Sequence, residues 1–71
     1  MHEFNISLEE LVERCNNLQA KAGQRKHITI DNDDGEYWSA HTDVWFGAQG
    51  STAFEAVAEL YSTLKRQTRR L

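Results

Sequence analysis

Two histidines, His27 and His41, and the carboxylates around them are the residues of this chain whose types and spacing come nearest to a reactive or metal-binding set. Strand alternation in KHITIDN and EYWSAH puts both on one side of a hairpin, and the register that the turn implies sets them opposite each other. Cross-strand neighbours lie about 5 Å apart at Cβ, so the two imidazoles could reach one zinc or nickel ion, with Asp43 or Asp31 as a third donor. No Cys-x-x-Cys or His-x-x-x-His spacing completes the set, so neither metal nor cofactor is expected, only two surface histidines that respond to pH. The turn DNDDGE concentrates Asp31, Asp33, Asp34 and Glu36. Placing Gly35 at the glycine of a calcium loop, however, puts Ile30 at the first ligand position and His41 at the last, where carboxylates are required. The turn therefore reads as a solvated hairpin tip. Ser39 shares a strand face with His41, but nothing nearby offers an oxyanion hole, a phosphate loop or a nucleophile elbow, and no enzyme is expected.

These residues need elements to hold them. In ISLEELVERCNNLQAKAG a capping box pairs Ser7 with Glu10, and Ile6 with Leu11 makes a hydrophobic staple. Leu8, Leu11, Val12, Cys15, Leu18 and Ala22 then recur at helical spacing, with Gly23 suited to the position just past the helix end. Cys15 falls inside that stripe and reads as a buried, inert thiol. A second helix begins in STAFEAVAELYSTLKRQTRRL with the box Thr52/Glu55 and a stripe of Phe54, Val57, Ala58, Tyr61 and Leu64.

Between the helices, DDG reads as a three-residue hairpin loop with Gly35 in the left-handed position. Ile30 then faces Trp38 and Ile28 faces Ala40, while His27/His41, Thr29/Ser39 and Asp31/Tyr37 pair on the other side. A third strand in DVWFGAQG turns Val44, Phe46 and Ala48 inward and Trp45, Gly47 and Gln49 outward. The expected fold is α+β: helix, three-stranded antiparallel sheet, helix (αβββα), with both helices on one face of the sheet and residues 1–71 forming a single domain.

Composition narrows the function. The chain has 71 residues, 39% hydrophobic and 27% charged, with no Pro, which suits one small ordered domain with a thin core that a homodimer would supplement. A net charge of −3 gives no global attraction to nucleic acid or anionic membrane, although Lys65, Arg66, Arg69 and Arg70 cluster in KRQTRR. Cations at a helix C-terminus complement its dipole, and that reading takes precedence over a phosphate site. MHEFNISLEELVERC lacks the basic start and apolar run of a signal peptide, and no stretch approaches membrane-spanning length, so a cytoplasmic location with no membrane contact is expected.

The segment DGEYWSAHTDVWFGAQGSTAFEAVAEL, within residues 34–60, resembles the HicB antitoxin family through Asp34, Gly35, Tyr37, Trp38, Gln49, Gly50, Thr52, Glu55 and Ala56. The family's Pro-rich stretch between the second and third strands is replaced here by HTDVWF. The resemblance implies a binding fold that caps or neutralises a partner, and the small size and acidic type of the chain suit a modulator carried on a phage or mobile element. The element order is also similar to that of double-stranded-RNA-binding domains, but the Lys-rich start of their last helix is replaced by GSTAFEAVAE, whose Glu55 and Glu59 would repel phosphate.

The expectation is a small, non-enzymatic protein-binding modulator. Its partner-binding residues are Tyr37, Trp45, His27 and His41 on the open sheet face, with Asp33 and Asp34 at the hairpin tip. The alternative is nucleic-acid binding through Lys65, Arg66, Arg69 and Arg70.

Overall fold

Ser7 starts the first helix as expected, its Oγ accepting the Glu10 amide at 3.1 Å while Ile6 packs on the core as the outer half of the staple. The Glu10 carboxylate reaches forward to Arg14 at 3.5 Å, forming an i,i+4 pair along the helix. In the computed structural model, which describes residues 6–32, 35–43 and 47–69, this helix is α1 (Leu8–Lys21). It ends in a Schellman turn: Gly23, at φ 76°, donates to Ala20, and Gln24 donates to Gln19 at 2.7 Å. β1 (Ile28–Asp31), β2 (Trp38–Thr42), β3 (Ala48–Gly50) and α2 (Ala53–Thr68) follow. The αβββα order expected from the sequence is present, with both helices packing against the sheet.

The sheet is antiparallel in the order β1-β2-β3. Ile28 pairs with Thr42, Thr29 with His41, Ile30 with Ala40 and Asp31 with Ser39. This corrects the expected register, in which Ile30 faced Trp38: the strands are slipped by two residues, and the connection between them runs from Asn32 to Tyr37. A slip of two preserves the side on which every residue lies, so Ile28, Ile30, Trp38 and Ala40 still face the core. Gly35 holds φ 80°, the left-handed conformation its position required. On β3, Ala48 points inward and Gln49 outward as expected, whereas Val44, Trp45 and Phe46 lie outside the described residues.

Residues Leu11, Cys15, Ala40, Ala48, Ala56, Val57, Ala58, Leu60 and Leu64 form the buried core. In α2 the burial differs from the expected stripe: Ala56 and Leu60 are buried, and Phe54 and Tyr61 flank the core half-buried. The helix touches both the sheet and α1, so its covered arc is wider than a single-sided stripe. Thr52 caps its start through the Glu55 amide, and the Glu55 carboxylate accepts from the Ser51 amide at 2.9 Å, one residue before the capping-box position. Gly50 makes the close approach of β3 to this turn possible, since a Cβ there would sit 2.6 Å from Glu55 Cβ and 2.7 Å from the Ala56 nitrogen.

Candidate functional site

The helices cover one side of the sheet, and alternation assigns the other side to Thr29 and Asp31 of β1, Ser39 and His41 of β2, and Gln49 of β3. Register aligns them in rows: Asp31, Ser39 and Gln49 lie across the three strands, and Thr29 lies beside His41. The face is polar through its centre, and its apolar element stands just before β2. Tyr37, 58% exposed, is the large hydrophobic residue most open to solvent among those described. A phenol there offers a broad apolar ring and a hydroxyl at small entropic cost.

His27 is not across from His41. With β1 and β2 slipped by two residues, His41 stands opposite Thr29, and His27 turns toward the end of β2. Its Nε2 lies 3.3 Å from the Thr29 hydroxyl and 3.9 Å from Asp43 Oδ1, while Arg25 Nη1 lies 3.5 Å from Asp43 Oδ2. The imidazole pair that would have held a metal is therefore not assembled. The described residues contain no group of three or more His, Cys, Asp or Glu side chains placed to bind an ion. All three members of the Arg25–Asp43–His27 cluster are substantially exposed, so these ion pairs contribute little to stability.

Ser39 and His41 line an open groove of about 600 Å³ with Gly47, Ala48, Gln49 and Glu59. The groove follows β3, an edge strand whose outer backbone groups pair with no described strand. Its walls can donate and accept hydrogen bonds and present one carboxylate, a surface for holding a polar segment. Sequence alternation already marked Gln49 as outward. Glu59 carried no signal, because its place at the groove depends on how α2 lies along β3.

Trp45, Asp33 and Asp34, also expected on the binding surface, lie outside the described residues, as does Arg70 of the basic cluster. Lys65 sits over the Tyr61 ring at 5.8 Å, and Arg66 and Arg69 are exposed at the end of α2. Cys15 is fully buried, with Sγ 4.0 Å from the Val57 carbonyl oxygen, and burial pushes its thiol up to about 12. That environment disfavours the thiolate and hence nucleophilic chemistry.

Gln19 is a polar residue in a buried position that the apolar stripe of α1 does not include. Its side chain is fully enclosed, with Nε2 donating to the His27 carbonyl at 2.9 Å. The signal was available, since Gln19 follows Leu11 and Cys15 at steps of four on the same helix face. No helix among the described residues is long and apolar enough to cross a membrane. No family model, curated protein or solved structure matches the chain.

Proposed function

We propose that this chain is a small, non-enzymatic modulator that binds another protein through the uncovered face of its sheet, in the manner of an inhibitor or antitoxin. The observation that carries the reading is the exposed Tyr37 ring beside the sheet face opposite the core, on which Ser39 and His41 are partly exposed and Gln49 is exposed. An aromatic anchor bordered by polar groups has the make-up of a protein-binding hot spot. Trp45 and His27 extend the proposed surface, and Asp33 and Asp34 at the hairpin tip would steer a basic partner. The resemblance of residues 34–60 to HicB antitoxins supports the same reading, the small size of the chain suits a phage or mobile-element origin, and we place its action in the cytoplasm. The outer edges of β1 and β3, which pair with no described strand, offer a route to a homodimer by strand addition.

The test is an affinity capture from lysate of the host, nuclease-treated and untreated, comparing the natural chain with Tyr37→Ala and Trp45→Ala. One protein recovered from both lysates and lost with either substitution supports the proposal. Recovery that is indifferent to both substitutions removes the sheet face from the function. Charge reversal at Asp33 and Asp34 should also weaken capture, and unchanged recovery would eliminate the steering role of the hairpin.

A further inference from the structure

The basic residues are not spread over the molecule. Of the eight Lys and Arg residues, all but Arg14 fall in the sequence segments 21–26 and 65–70, and the described ones among them lie in or just after the last turns of the two helices. Whether these segments meet depends on topology. Gln19 donates to the carbonyl of His27, so α1 ends where β1 begins and β2 finishes. β3 runs in the same direction as β1 and ends at Gly50 opposite Trp38, at the other end of the sheet. α2 starts there and returns along the strands, spanning about 24 Å over its 16 residues, so its C-terminus comes back to the end where α1 stops. The contact of Cys15 with the Val57 carbonyl fits two helices lying side by side in the same direction.

Lys21, Arg25, Lys26, Lys65, Arg66 and Arg69 are thereby gathered at one pole, and all are exposed. Lys21, Lys26, Arg66 and Arg69 make no ion pair with another described residue, and the nearby carboxylate of Asp43 is engaged by Arg25 and His27. Glu9 and Glu10 at the start of α1, Asp31 and Glu36 beside the hairpin, and Glu55 at the start of α2 lie toward the opposite pole. The helix dipoles, being parallel, place their negative ends at the basic pole and their positive ends at the acidic one, and so offset part of this separation, only within their terminal turns. A chain with a net charge of −3 therefore has one strongly positive end.

We infer that the basic pole is a second interaction surface, distinct from the sheet face, that binds the phosphate backbone of a nucleic-acid duplex without reading sequence. A protein partner would need an apolar centre to its interface, whereas the large exposed hydrophobic residue among those described is Tyr37, beside the hairpin connection at the other end of the sheet. Tyr61, the aromatic nearest the pole, is half-buried and has Lys65 over its ring, so it offers no open platform for stacking unpaired bases. Exposed cations without apolar or stacking groups match regularly spaced phosphates. The acidic pole would orient the molecule end-on and keep its remaining surface off the duplex.

The experiment is fluorescence anisotropy with a labelled DNA duplex of arbitrary sequence, titrated with the full chain at about 50 and 200 mM salt. It compares the natural chain with Lys21→Glu/Lys26→Glu and Arg66→Glu/Arg69→Glu, with folding checked by far-UV circular dichroism. Each double variant is expected to weaken binding about tenfold or more and to lower the slope of log affinity against log salt by about 2. The neutral pair Lys21→Gln/Lys26→Gln, milder for folding, should fall between. Absence of duplex binding at the lower salt overturns the inference. So does an affinity unaffected by Lys21→Glu/Lys26→Glu, since the two helix ends would then not act as one surface. Binding of poly-glutamate as tight as that of the duplex would overturn it in favour of an acidic protein partner. None of these outcomes depends on Tyr37 or Trp45, so the inference and the proposed protein-binding face can fail separately.

Discussion

The side chain of Gln19 donates to the main-chain carbonyl of His27 at 2.9 Å from within the closed core, joining the last turn of α1 to the residue that precedes β1. The carbonyl lies just outside the sheet ladder, and the amide supplies its partner. The Gln19 Oε1 has no partner among the described residues, so the side chain contributes one bond and leaves one buried acceptor unsatisfied among them. Replacing Gln19 with Ala removes the bond and opens a cavity, and urea unfolding should show a loss of about 2–4 kcal/mol. Gln19→Met fills the space and removes the unpaired oxygen, so its loss should be clearly smaller. Equal losses would mean that the hydrogen bond dominates over packing.

Gly50 is constrained by what lies against it, as its backbone faces the first turn of α2 more closely than a side chain allows. Gly50→Ala should cost about 1–3 kcal/mol by forcing β3 away from Glu55 and Ala56. Gly47→Ala, with open space around the added methyl, should leave the urea midpoint nearly unchanged.

The N-cap of α2 can be tested alone. Thr52→Ala removes the acceptor for the Glu55 amide and should lower stability by about 1 kcal/mol, with Thr52→Ser restoring most of it. The same thermal melts would show whether Glu55→Gln, which still accepts from the Ser51 amide, is tolerated.

Cys15 should resist thiol reagents in the native state at about pH 8 and react at the rate of unfolding. Its ordinary value of 9.0 is raised to about 12 by burial. The folded protein then retains a proton that the unfolded chain releases, so the contribution to stability is intact below pH 9 and lost as pH rises from 9 toward 12. Thermal midpoints across that window should fall more steeply for the natural chain than for Cys15→Ala. Parallel curves would remove the thiol as the cause.

Much of the architecture was legible in local signals. Ser7 and Thr52 open helices because their hydroxyls accept a backbone amide three residues on, and Gly23 and Gly35 sit where φ is positive. Alternation correctly assigned Ile28, Ile30, Trp38, Ala40 and Ala48 to the core side. Burial of Leu60 and Ala56 was not legible, because an apolar stripe read from α2 alone does not reveal that α1 covers a second flank.

The sequence by itself determined the order of the elements, the caps that bound the helices, and the side of the sheet on which each described strand residue lies. Those properties depend on contacts a few residues apart, or on a period of two that any even shift of register leaves unchanged. Tertiary structure alone decided which residues meet. Pairing Ile30 with Ala40 rather than Trp38 separated His27 from His41, gave His27 to Asp43, and set Asp31, Ser39 and Gln49 in one row. Parity is local to each strand. The choice among registers of equal parity is made by loop closure and by packing of the whole sheet beneath α2, and these are properties of the folded chain.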